Sequence, residues 1–118
     1  MNKEKDFEIE TLYSYVDENN LKLYDGCMRR YIGEILLNID DHHKSEAEDW
    51  IKKAIEADRR NGMNWHLAED YALYADLFKR QGYRPKAKEN LSKAMNIFQE
   101  CGADGWVDKT KKELEALS

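Results

Sequence analysis

Small and apolar residues recur in this chain at helical spacing, and the whole pattern returns forty residues later. The first set is Ala47, Ile51, Ala54, Ile55 and Gly62, and its copy is Ala87, Leu91, Ala94, Met95 and Gly102. Spacings of three and four residues place the side chains of each set on one face of an α-helix. A repeat of about 20 to 50 residues is typical of stacked supersecondary units, which bind partners on the surface that stacking creates.

A second pattern alternates with the first. Leu23, Trp65 and Trp106 are each followed, ten residues on, by a small residue. We name the helices that begin near these three residues A helices, and the helices of the first pattern B helices. The alternation predicts six helices, over 5–18 (B), 22–38 (A), 44–60 (B), 64–81 (A), 84–100 (B) and 105–117 (A).

Residues that favour helix ends lie near these boundaries. Ser45 and Glu48 have the spacing of a capping box at the start of a B helix. The other predicted start signals are Asn64 and Asp104 as N-caps and Pro85 in a first turn. Gly62 and Gly102 are suited to the left-handed conformation that ends many helices.

The positions of small and aromatic residues resemble the tetratricopeptide repeat, a helix–turn–helix unit. The matching residues are Tyr71, Tyr74, Ala75, Phe78, Ala87, Leu91 and Ala94 in the central unit, and Gly33, Leu36, Ala47, Ile51 and Ala54 in the preceding one. The usual period is about 34 residues. This chain repeats every 40 to 42 residues and so resembles the longer variant of bacterial transcription activators and signalling proteins.

The resemblance implies an all-α fold, with antiparallel helix pairs stacked into a right-handed superhelix. A single domain would cover 1–118, divided into a half repeat over 5–20, repeats over 21–62 and 63–102, and a capping helix over 103–118. The last helix carries the polar outer face expected of a cap.

In such repeats the A helices line a concave groove that binds peptides, and the resemblance implies the same here. The corresponding positions are Arg30, Glu34, Asn38, Glu69, Asp76, Lys79, Arg80, Thr110 and Glu113. Their acidic members would repel the terminal carboxylate of a peptide, which disfavours a carboxylate clamp. We therefore expect a non-enzymatic module that binds a protein or peptide partner in bacterial signalling or regulation.

An alternative role rests on the amino-terminal helix. Phe7, Ile9, Leu12, Tyr13 and Val16 give it apolar residues on more than one side. This pattern favours contact with an upstream domain or with a second copy in a homodimer. The chain would then be a terminal capping or self-association module of a larger protein.

Charge and hydropathy narrow the partner classes. The net charge is -5 and the isoelectric point is near 5.2, which argues against nucleic acid or an anionic membrane as the partner. The first residues are polar, and the sequence has no apolar run of about 20 residues that could span a bilayer. We expect a cytoplasmic protein.

Few residues offer catalytic or metal-binding chemistry. The tract 40–43 contains two aspartates and two histidines, but adjacent histidines in a turn are poorly placed to bind one ion, so we expect a solvated turn. Cys27 and Cys101 are expected to be reduced thiols. The sequence predicts no catalytic residue, metal or cofactor.

The three tryptophans carry separate expectations. Trp65 and Trp106 occupy equivalent positions, which predicts packing between helices. Trp50 has no equivalent in the next unit, where Asn90 takes its place, and it is predicted to be exposed on the convex side.

Overall fold

A computed structural model describes residues 22–39 and 43–117 of the chain. These residues form the helices α1 (Lys22–Ile39), α2 (Lys44–Arg60), α3 (Asn64–Arg80), α4 (Arg84–Glu100) and α5 (Asp104–Leu117), with no strand among them. The all-α prediction is confirmed for this part of the chain, and the five predicted helices that fall in it end within one residue of their predicted bounds. The sixth, over 5–18, lies outside the described residues.

The last three turns share one hydrogen-bonded geometry. Each contains a glycine with positive φ, namely Gly62 at 69°, Gly82 at 82° and Gly102 at 71°. The residue after each glycine donates its N–H, over 2.9 Å, to the carbonyl five positions earlier, as in a Schellman motif. The prediction for Gly62 and Gly102 is confirmed, and Gly82 has the same role.

The predicted N-caps are wrong. The helix α2 begins at Lys44 with His43 at the cap position, so Ser45 lies inside the first turn and cannot form the capping box. Asn64 and Asp104 are the first residues of α3 and α5 and do not cap them. The turns between the helices are short, so helical hydrogen bonding begins before the predicted cap residues. In α3 the Met63 carbonyl accepts the first bond, from the Leu67 N–H at 2.9 Å. Pro85 lies in the first turn of α4, as predicted.

Each A helix packs against the B helices beside it in sequence. The contacts join α1 to α2, α2 to α3, α3 to α4 and α4 to α5, and α1 also contacts α3. The small residues predicted to permit close approach are all buried; they are Gly33, Ala47, Ala54, Ala75, Ala87 and Ala94. Leu36, Ile51, Phe78 and Leu91 fill the space between them, as predicted.

Aromatic packing joins α3, α4 and α5. The ring centroids of Trp65, Phe98 and Trp106 lie 5.2 to 5.5 Å apart. This confirms the predicted packing role of Trp65 and Trp106, although Trp106 keeps 39% of its surface exposed. The predicted exposure of Trp50 is wrong, because its ring is half-buried against the core, with the Lys53 ammonium 4.6 Å from its centroid.

Substitution of a glycine in α1 tests the packing of α1 on α2. A methyl group at Gly26 would lie 1.9 Å from the buried carboxylate of Asp58. We expect Gly26→Ala to lower the free energy of unfolding by about 1 to 3 kcal/mol through overpacking, despite the higher helix propensity of alanine. Urea unfolding followed by circular dichroism measures the change.

Gly105 provides the matched control, since an added methyl group there meets no atom within 4 Å. Gly105→Ala should leave stability unchanged or raise it by up to about 1 kcal/mol. If Gly26→Ala is as stable as the parent chain, α1 does not pack on α2 as described.

Candidate partner-binding surface

The three A helices place the predicted binding residues on one surface. We call this surface the A-helix face and define it by Arg30, Glu34, Asn38, Glu69, Asp76, Lys79, Arg80 and Glu113. Residues 30, 34 and 38 follow one another at single-turn spacing along α1, and along α3 residue 76 lies two turns after 69 and one turn before 80. The structure thus brings together positions that are distant in sequence.

Polar contacts join α1 and α3 across this face. The Arg30 guanidinium lies 3.5 Å from the Glu69 carboxylate. About three turns further along α3, Arg80 donates to Asn38 Oδ1 at 3.0 Å and to the Leu37 carbonyl at 3.4 Å. Arg80 also pairs with Asp76 at 3.1 Å. These contacts hold the side chains of the face in defined positions.

Between α3 and α5 the face is concave. Two cavities, of about 50 and 110 Å³, share Ala72 and Glu113 in their walls, and we call them together the α3–α5 groove. The smaller is lined by Ala72, Ala75, Asp76, Lys79, Leu91, Glu113 and Leu117. The larger is lined by Glu69, Ala72, Phe98, Trp106, Lys109, Thr110 and Glu113. Five predicted residues therefore border the groove directly: Glu69, Asp76, Lys79, Thr110 and Glu113.

Thr110 is less available than the resemblance implied. Only 4% of the Thr110 surface is exposed, and its hydroxyl donates to the Trp106 carbonyl at 2.7 Å. Because this bond uses the hydroxyl proton within the helix, Thr110 contributes to the shape of the groove and not to partner recognition.

The charges of the face are of two kinds. Arg30 and Glu69 are paired, as are Arg80 and Asp76. Among the described residues, Glu34, Lys79 and Glu113 have no ion pair within 4.0 Å. These three side chains can pair with groups of a partner without first breaking a contact of their own.

Two buried carboxyls beside the face were missed in the sequence. Asp58 of α2 is 1% exposed and Asp70 of α3 is 0% exposed, and no donor among the described residues bonds to any of their four carboxyl oxygens. From α1, the Arg30 guanidinium lies 3.8 Å from Asp70, and Gly26 leaves the space that Asp58 fills. Because two neighbouring carboxylates buried without donors destabilise each other, retention of a proton by one of them is favoured.

Burial is the main reason that Asp70 retains this proton. Removal from water is the largest of the effects that raise the pKa of Asp70 to about 10; the neighbouring Asp58 carboxyl and Glu69 add to the shift, while Arg30 opposes it. Asp70 is therefore protonated at neutral pH.

The sequence does contain a signal for this buried pair, in the residues at equivalent positions of the repeat. Forty residues after Asp58 the chain has Phe98, and forty-two residues before Asp70 it has Met28. An acidic residue at a register position that a neighbouring unit fills with an apolar side chain indicates a polar contact inside the stack.

The remaining sequence predictions concern a metal site, the two cysteines and membrane-spanning helices. Asp40, Asp41 and His42 lie outside the described residues, and within the described part of the chain no group of three ligands could hold a metal ion. Cys27 and Cys101 form no disulfide, as expected of reduced thiols. No helix of the described residues is long and apolar enough to cross a membrane.

Comparison of the chain with protein-family models, with curated proteins and with solved structures found no match. The geometry of the A-helix face is therefore the basis for assigning a function.

The Asp58–Asp70 pair should make stability fall as pH rises. The pKa of Asp70 is near 10 in the folded chain and has an ordinary value of 3.8, so above pH 4 unfolding releases its proton. Its stabilising contribution is complete below pH 4 and is lost progressively as pH rises toward the folded pKa. In Asp70→Asn the side-chain amide can donate to Asp58 at every pH, because it does not titrate. The pH dependence of stability should therefore disappear.

Urea unfolding at pH 5.5, 7.0 and 8.5 measures the difference between the parent chain and Asp70→Asn. The exposed Asp49 supplies the control, since Asp49→Asn should keep the pH dependence of the parent. Equal pH slopes for Asp70→Asn and the parent would show that Asp70 carries no retained proton.

Proposed function

We propose that this chain is a tetratricopeptide-like module that binds a segment of a protein partner on its A-helix face, without catalysis, in bacterial signalling or regulation. The observation that carries the proposal is the convergence of residues from α1, α3 and α5 on one surface with a groove between α3 and α5. The alternative of self-association depends on 5–18, outside the described residues.

Two observations support a tetratricopeptide-like fold. Residues 21–62 and 63–102 each contain one A helix and one B helix that pack together, at the period found in the sequence. The contact of α1 with α3 then sets successive A helices side by side. A right-handed superhelix with the A helices on its concave side is the architecture that this arrangement favours.

Recognition would depend on a groove that exists before the partner arrives. Ala72 and Ala75 are small, so the surfaces of α3 and α5 leave room between them for partner side chains. The contacts of Arg30 with Glu69 and of Arg80 with Asp76 and Asn38 reduce the motion that binding must suppress. Preorganisation of this kind improves affinity because less side-chain entropy is lost on binding.

A selection experiment tests the proposal. A phage-displayed library of random peptides is panned against the full chain, and the selected peptides are measured by fluorescence anisotropy. We expect Asp76→Arg, which replaces an anion of the groove by a cation, to weaken their binding by about tenfold. Folding should be retained, because the Asp76–Arg80 pair is about 40% exposed and so contributes little stability.

Glu89→Arg is the matched control, with the same change of charge at an exposed site of the B helix α4. It should bind the peptides nearly as well as the parent chain. If Asp76→Arg and Glu89→Arg bind equally, or if no peptide is selected, the A-helix face is not the binding surface.

A further inference from the structure

The larger cavity of the α3–α5 groove has a distinct composition, and we call it the Trp106 pocket. Its floor is aromatic, with Phe98 and Trp106 stacked at 5.5 Å between ring centroids. Its rim carries two carboxylates, Glu69 from α3 and Glu113 from α5. Aromatic faces beside carboxylates attract cations by two independent effects, the ring quadrupole and the opposite charge.

The chain itself shows that Trp106 takes a cation. The ammonium group of Lys109, one turn along α5, lies 4.9 Å from the centroid of the Trp106 ring. Lys109 is exposed and is held by this ring contact with no ion pair within 4.0 Å among the described residues. A partner cation could therefore displace it without breaking a salt bridge.

The rim carboxylates discriminate among the side chains that a partner could insert. Glu113 has no ion pair among the described residues, whereas Glu69 shares Arg30 at 3.5 Å. An acidic side chain would be repelled by both carboxylates. An apolar side chain would cover Glu113 and remove water from it without providing a compensating charge. A cationic side chain satisfies Glu113 and contacts the aromatic floor.

We propose that the Trp106 pocket binds a lysine or arginine side chain of the partner, so that the partner segment is basic at this position. This inference rests on the proposed function and specifies its ligand. A cavity of about 110 Å³ can admit the charged end of one side chain. Arginine fits best, because its planar guanidinium can stack on an indole while it pairs with a carboxylate. Lys109 acts as an internal competitor for the same ring.

The test uses the peptides selected on the full chain. They should be enriched in arginine or lysine, and replacing the enriched residue by glutamine should weaken binding by about tenfold. Glu113→Gln should weaken the parent peptide by a similar factor and leave the glutamine peptide unaffected. Lys109→Ala should strengthen binding by a few fold, because the competing ammonium is removed.

Matched variants separate pocket recognition from attraction to an acidic chain. Glu115→Gln and Lys112→Ala make the same charge changes on α5 at exposed residues that do not line the Trp106 pocket. Both should bind the basic peptide within about twofold of the parent chain.

Three outcomes would overturn the inference. If Glu113→Gln and Glu115→Gln have equal effects, or if the selected peptides lack a required basic residue, the Trp106 pocket does not bind a cation. In these two cases the proposed function stands, provided that Asp76→Arg still weakens the peptides. If Asp76→Arg has no effect either, the inference and the proposed function fail together.

Discussion

Close approach of neighbouring helices at small buried residues is the constraint on which the rest of this structure depends. A side chain on Gly33 would lie 3.0 Å from Ile51 and 3.3 Å from the Ala47 carbonyl, so α1 and α2 are in contact at their backbones. Ala87 and Ala94 are fully buried at the equivalent sites of α4. Because each B helix lies this close to its A helix, the helices stack in register and their polar residues meet on one surface.

The two junctions of the stack differ in chemistry although they occupy equivalent positions. Where α2 meets α3, the Asp58–Asp70 pair lies buried beside Arg30, and polar contacts cross from α1 to α3. Where α4 meets α5, Phe98 replaces the aspartate and supports Trp106. One half of the A-helix face is therefore bridged by ion pairs, and the other half contains a groove with an aromatic floor. The proton retained by Asp70 at the first junction links the stability of the stack to pH, and the second junction contains the groove that we propose binds the partner.

Periodicity predicted what depends on the spacing of side chains along one helix. The helix bounds and the buried small residues follow from such spacing, whereas the placement of Arg30, Glu69 and Asp76 on one surface was implied by the resemblance to a known repeat. It could not predict contacts that depend on what lies opposite. Ser45 and Asn64 have cap chemistry, but the tight glycine turns start the helices elsewhere. Thr110 is polar, yet it is buried in the structure and its hydroxyl bonds within its own helix. Predicting the Asp58–Asp70 pair would require knowing that a turn of α2 faces a turn of α3.

The measurement that tests the central claim most directly is a nuclear magnetic resonance titration of the full chain with a selected basic peptide. If the A-helix face binds the partner, the largest backbone amide shifts should fall in α3 and α5, around Glu69, Asp76, Trp106 and Glu113, with smaller shifts in α1. Shifts concentrated on the exposed residues of α2 and α4 would contradict the account, because they would place the partner on the B helices.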